Sequence, residues 1–249
     1  MKKILYTLLT LLFVFQLNAQ NSLFEKGNQF YTDQKYNEAI AAYEELLASG
    51  VESAGLYFNL GNAYYKAGKM TPAILNYERA KLLSPNDADI QFNLELANQH
   101  VVDAIEAIPQ VFFVRWWNNL IKSKAADSWA TYSIVCFIAF LLLLGLYVFS
   151  SNGSLRRLGF WLGIVLLAGS ITTFVFANKQ KNRLVNHNFA IITQPSATVK
   201  SSPSEGGTNI FLIHEGLKVQ IIDQLGNWYE IRLADGNQGW LPAETMEKI

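Results

Sequence analysis

Cysteine is almost missing from these 249 residues: Cys136 stands alone, so no intrachain disulfide can form. Histidine is nearly as scarce. His100, His187 and His214 are scattered, and none has a second His, Cys or carboxylate at metal-ligand spacing. No Cys–His or Ser–His–Asp arrangement is visible, no glycine-rich loop follows a strand, and no catalytic carboxylate pair stands out. The expectation is a chain that is not an enzyme and carries neither metal nor cofactor. Charge is also absent from two runs, 129–149 and 158–177. Each has about 20 residues, the length a helix needs to cross the hydrocarbon of a bilayer.

Those runs are parted only by 150–157, Ser-Ser-Asn-Gly-Ser-Leu-Arg-Arg, which is read as a loop with Gly153 at its turn. A connection this short predicts a hairpin that re-enters one face of the membrane, leaving both polar ends on the same side. Cys136 falls inside the first run, which predicts a lipid-facing or helix-packing thiol. The formal charge of zero hides a three-way split. Residues 21–108 hold 6 basic and 12 acidic side chains, 109–184 hold 8 and 1, and 185–249 hold 4 and 7. The basic middle can meet anionic lipid head groups. The acidic ends would be repelled by phosphates, so nucleic acid is not an expected partner.

At the N-terminus, Lys2 and Lys3, the apolar stretch 4–17 and the small Ala19 read as a signal peptide over 1–19. It would export the chain from Asn21 onward, which makes the protein a two-pass inner-membrane protein with both soluble parts in the periplasm. Charge around the hairpin opposes this. Arg115, Lys122, Lys124, Lys179, Lys181 and Arg183 flank it, against Arg156 and Arg157 in the loop, and basic flanks favour the cytoplasm. The first targeting element usually dominates, and the periplasmic orientation is taken.

Within 22–108 two stretches superimpose at an offset of 34: Gly27, Phe30, Ala39 and Tyr43 align with Gly61, Tyr64, Ala73 and Tyr77. Small residues at the first and third positions let antiparallel helices approach, and the aromatics fill the space between them. Thr71-Pro72 reads as a hydroxyl cap followed by proline at a helix start, and 35–37 and 67–69 as turns. This pattern resembles the tetratricopeptide repeat (TPR), with units at about 20–53 and 54–87 and a capping helix at 87–107. Lys26 and Val51 depart from it in the first unit, and Glu95 stands where a third glycine would be. Ile90, Phe92, Leu94, Leu96 and Ala97 are expected to form the cap's apolar face. The resemblance implies a peptide-binding groove carrying Asn28, Tyr31, Asn59, Asn62, Tyr65, Lys66 and Asn93. Amides offer both donors and acceptors to an extended backbone. The same asparagines also serve as structural consensus in such repeats, and both roles stay open.

Residues 109–128 place Phe112, Phe113, Trp116, Trp117, Leu120 and Ile121 on one helical stripe, opposite Asn118, Asn119, Lys122 and Lys124. Paired tryptophans beside cations predict an amphipathic helix in the head-group interface. Packing on the last repeat helix is the alternative. After a basic linker at 178–188 the periodicity shortens. Over 189–249 short β-rich runs are punctuated by glycine turns, with alternation over 228–233 and a tight turn at Asp235-Gly236. The pieces ATVKSSPSEG, HEGLKVQIID and GNWYEIRLADGNQGWLPAETM are similar to the bacterial SH3-like domain. That likeness implies a small all-β barrel binding peptides, peptidoglycan or proteins. Trp228, Tyr229 and Trp240 form its candidate surface, with Trp228 and Trp240 equally readable as core.

The fold class is therefore multidomain: an all-α TPR solenoid, a two-helix transmembrane hairpin and an all-β SH3-like barrel. This order of modules resembles the BatE family of the Bacteroides aerotolerance operon. The resemblance implies a non-catalytic scaffold beside von Willebrand A-domain membrane proteins and a MoxR-type ATPase, in tolerance of oxidative or envelope stress. A peptidoglycan-binding anchor is the alternative. A transmembrane sensor has little chain beyond the bilayer to carry its signal.

Overall fold

The computed structural model describes residues 22–106, 108–109, 111–185 and 188–249, with the side chains of 183–185 left aside. The signal-peptide expectation lies outside these residues. The chain forms two units. One joins the segments before and after the hairpin, and the other is residues 109–187.

Among the described residues the first unit opens with five helices: α1 (residues 22–32), α2 (Tyr36–Ala48), α3 (Ala54–Lys66), α4 (Met70–Leu83) and α5 (Ala88–Asn98). Glycines at the helix crossings are required, not incidental. A Cβ on Gly61 would stand 2.7 Å from the Tyr77 ring, and one on Gly27 would overlap the Tyr43 ring. Ala39, Ile40, Tyr43, Leu46, Leu56, Leu60 and Ala63 form the resulting core. Ser53 caps α3 by accepting from Leu56 N, and Asp87 caps α5 by accepting from Asp89 N and Ile90 N.

Three local expectations are corrected. The first inter-helix turn lies at 33–35 rather than 35–37, and its left-handed position is Gln34, φ 61°. The equivalent position one repeat later is Gly68, φ 76°. Both turns close with matching bonds, Lys35 N to Phe30 O at 2.8 Å and Lys69 N to Tyr64 O at 2.9 Å. Thr71 does not cap α4, which starts at Met70 after an uncapped Lys69; its hydroxyl donates to Glu215 at 2.8 Å. Pro72 still sits within the first turn, where its missing N–H costs nothing. The capping helix ends at Asn98, not 107, and Phe92 is exposed rather than part of its apolar face.

Residues 99–106 and Ile108 instead run as a strap against the barrel. Val101 and Ile105 pack on its core, Asp103 accepts from His214 N at 2.6 Å and lies 2.9 Å from its Nδ1, and Ile108 N donates to Ala234 O.

The barrel strands are β1 (Phe189–Ile192), β2 (Ser196–Lys200), β3 (Asn209–His214), β4 (Lys218–Leu225), β5 (Trp228–Arg232), β6 (Gln238–Pro242) and β7 (Met246–Lys248). They form one antiparallel sheet in the order β3-β2-β6-β5-β4-β1-β7. Strand β1 is buried on both faces. Ala190 and Ile192 enter the barrel core, while Ile191 joins Ile74, Leu75, Tyr77, Leu94 and Ile249 in a second cluster. Helix α4 is consequently enclosed nearly all round. Around this seam Lys218 meets Glu78 at 2.5 Å and Arg79 meets Glu247 at 2.9 Å.

The second unit holds α6 (Phe112–Lys122), α7 (Ala126–Phe149) and α8 (Gly153–Val185). Two helical stretches, Ala126–Phe149 and Gly153–Asn182, are long and apolar enough to cross a membrane. Their apolar side chains point outward, as at Ile134, Leu142 and Phe174. Where the helices cross, Ser133 and Ser170 exchange hydroxyl-to-carbonyl bonds of 2.9 and 3.0 Å.

The expected loop at 150–157 shrinks to 150–152. Gly153 opens α8, and Asn152 caps it by accepting from Ser154 N. The expected linker at 178–188 is helical through Val185, because no proline or glycine interrupts it. Helix α6 packs on the hairpin: Trp117 and Trp129 both meet the Phe176 ring edge-on, Ile121 is buried, and Phe112, Phe113 and Trp116 stay exposed.

Two outcomes test this architecture. Ile191→Ala should cost about 2–4 kcal/mol and lower the melting of helix and sheet together in one transition followed by circular dichroism. Separate transitions would contradict the shared seam. Gln34→Gly should raise stability by about 1 kcal/mol in urea unfolding, because only glycine adopts that turn without a Cβ penalty.

Candidate functional site: an asparagine–tyrosine ladder

The 34-residue period that builds the helices also builds the inner face. Asn28 Oδ1 accepts from the Tyr43 hydroxyl at 2.8 Å and from Asn59 Nδ2 at 3.0 Å. One repeat later, Asn62 Oδ1 accepts from the Tyr77 hydroxyl at 2.8 Å and from Asn93 Nδ2 at 2.8 Å. Every member of the first triad has its counterpart 34 residues on. Asn28 and Asn62 spend their carbonyls inside the fold, which turns their amide nitrogens outward as donors. Asn59 and Asn93 spend donors and keep carbonyl oxygens as acceptors. Each rung thus presents a donor and an acceptor, the complement of a peptide unit.

Asn28, Tyr31, Thr32, Tyr43, Asn59 and Asn62 line a recess of about 210 Å³. Tyr31 is held there edge-on by Tyr36 at 5.5 Å. Of the seven groove residues expected from sequence, four line this recess and Asn93 is bonded to one of them. Tyr65 instead meets His100 edge-on at 6.0 Å, and Lys66 is exposed at the end of α3. Sequence reasoning assigns Tyr43 and Tyr77 to packing alone and misses their hydroxyls. The offset of 34 that relates Asn28 to Asn62 also relates Asn59 to Asn93, and is a visible signal.

Burial raises the phenol pKa values along this face. Tyr43 is pushed up to about 12, first by desolvation and then by the neighbouring Tyr31. Tyr77 is raised by burial and by the Tyr31 and Tyr65 phenols. Tyr64 is raised by burial and by its hydrogen bond to Glu44.

On the barrel, strand alternation separates the three aromatic candidates. Tyr229 shares the inward face with Ile231 and packs on the core, with Lys248 Nζ 4.6 Å from its ring. Trp228 and Trp240 lie outside the core cluster, both half-buried. Trp240 is opposite Glu230 and Lys200 in register, and Lys200 Nζ sits 5.4 Å from the Trp228 ring while pairing with Glu205.

Comparison with known families divides the chain the same way. Residues 27–68 match a model described as TPR repeat, and 54–87 one described as tetratricopeptide repeat. Residues 195–247 match the bacterial SH3 domain. No curated protein matches the chain. Both kinds of module typically bind proteins or, for the SH3-like domain, cell wall, and neither model describes a catalytic family. The SH3 match points to a bacterial protein.

Alkali should dismantle the ladder. Folding raises these phenol pKa values above the ordinary value near 10, so the fold favours the neutral form. The stability they contribute is full below pH 10 and is lost as pH rises toward 12 and beyond. The checks are tyrosinate absorbance and urea midpoints across that range; midpoints unchanged through the range would contradict it.

Proposed function

We propose that the protein is a non-catalytic, membrane-anchored adaptor that holds an extended peptide of a partner protein along the asparagine ladder. The observation that carries this is the repeated triad, which aligns unspent amide donors and acceptors along an open recess. The apolar hairpin supplies the anchor, and an exported N-terminus would leave both soluble segments at the periplasmic face of the inner membrane. The module order supports membership of a Bat-type assembly for oxidative or envelope stress, as in BatE. Its partners there would be von Willebrand A-domain membrane proteins and a MoxR-type ATPase system.

Peptidoglycan anchoring through the SH3-like domain is the second reading. Its support is the pair Trp228 and Trp240 outside the barrel core: aromatic faces suit stacking on sugar rings.

One set of measurements on the full chain separates the two. Asn28→Ala with Asn62→Ala should remove the partner proteins recovered by cross-linking from membranes, while co-sedimentation with purified peptidoglycan stays at the level of the unaltered chain. Trp228→Ala with Trp240→Ala abolishing sedimentation, with partners retained, would favour the cell-wall anchor. Reporter fusions after residues 108, 154 and 249 test the orientation: signal from 108 and 249 in the cytoplasm would overturn the periplasmic assignment.

A further inference from the structure

At the loop end of the hairpin, Tyr147, Gly153, Arg156, Arg157 and Phe160 line a recess of about 360 Å³. Its polar character comes from two adjacent guanidinium groups. Arg156 lies 5.4 Å from the Tyr147 ring, a cation–π contact that holds it at the mouth. Tyr147 and Phe160 themselves pack with ring centroids 5.7 Å apart.

This charge lacks an internal answer. Among the described residues, no carboxylate lies within ion-pair distance of Arg156 or Arg157. The only acid in 109–184 is Asp127, in the first turn of α7, the far end of that helix. Arg156 in the first turn of α8 and Arg157 just after it also oppose its helix dipole. Asn152 has already satisfied the Ser154 and Leu155 amides there, so the arginine side chains, not the helix end, make the site. Unpaired cations so placed are stabilised by an external anion.

We infer that this recess binds the phosphodiester head group of an anionic membrane phospholipid, with its acyl chains lying along the hairpin. Arginine forks match phosphate oxygens in pairs. The aromatic walls suit the glycerol and upper acyl region, and the end of two apolar helices puts the arginines at head-group depth. The inference rests on the hairpin crossing a bilayer, as the adaptor reading requires.

The test uses the full chain in nanodiscs of phosphatidylcholine, alone or mixed with phosphatidylglycerol, with retained lipid measured by native mass spectrometry. Phosphatidylglycerol should be retained over phosphatidylcholine, and Arg156→Gln with Arg157→Gln should lower its retention about tenfold. Lys179→Gln with Lys181→Gln, at the other end of α8, removes charge that can also meet head groups and should lower it far less than the arginine pair does; an equal loss overturns the inference. If the glutamine pair melts early, Arg156→Lys with Arg157→Lys makes the same comparison with a smaller loss, since lysine keeps charge without the fork. Equal retention of the two lipids, or retention unaffected by the arginine changes, overturns the inference while the membrane anchor stands. Displacement of the lipid by inorganic phosphate also overturns it, marking a free-anion site. A chain that stays in solution without detergent or nanodisc removes the anchor and this site together.

Discussion

A single four-residue strand serves two cores. In Phe189–Ile192, Ala190 and Ile192 face the barrel interior while Ile191 faces helix α4. Strand β1 lies between β4 and β7, and a strand of a small antiparallel sheet ordinarily leaves one face to water. Here that face is dry because Ile74, Leu75 and Tyr77 occupy it together with Ile249. Two modules that occur separately in many proteins become one body, and the surfaces of each keep a fixed bearing on the other. Polar contacts ring the seam. Glu78 is buried there, which is tolerable because Lys218 meets it.

Much of this was legible in the residues and some was not. Tight helix crossings follow from Gly27 and Gly61, because no other side chain fits beside Tyr43 and Tyr77. Strand β5 follows from the alternation over 228–233, and its turn into β6 from Asp235-Gly236. The first inter-helix turn departs from its expected place because Gln34 adopts a conformation that glycine normally advertises. Thr71-Pro72 carries the local signature of a cap, but a distant acceptor, Glu215, captures the hydroxyl. Local propensity cannot foresee a contact 144 positions away. The same limit explains the strap: nothing near Asp103 announces that His214 awaits it.

The groove shows how one periodicity encodes shape and chemistry together. A tyrosine that fills the space beside a glycine also places its hydroxyl on an asparagine, and that bond decides which end of the amide is left unspent. In the proposed adaptor, packing and recognition are then hard to mutate apart. Removing a phenol loosens a helix crossing and lets an amide rotate, so loss of binding alone does not identify a ligand contact. The asparagines, which contribute little to the apolar core, are the cleaner positions at which to interrogate recognition.

The hairpin interrupts the head rather than following it: the strap ends at Ile108, and its barrel strands begin only after Asn188. During synthesis, therefore, Asp103 and Val101 leave the ribosome well before the strands they rest on exist. The repeat region must wait, with one flank of α4 bare, until both apolar helices have been made. Assembly of the head thus reports that the intervening segment has been completed. Once formed, the two flanking pieces are held by packing as well as by peptide bonds, so a proteolytic nick within the hairpin would not by itself set them free.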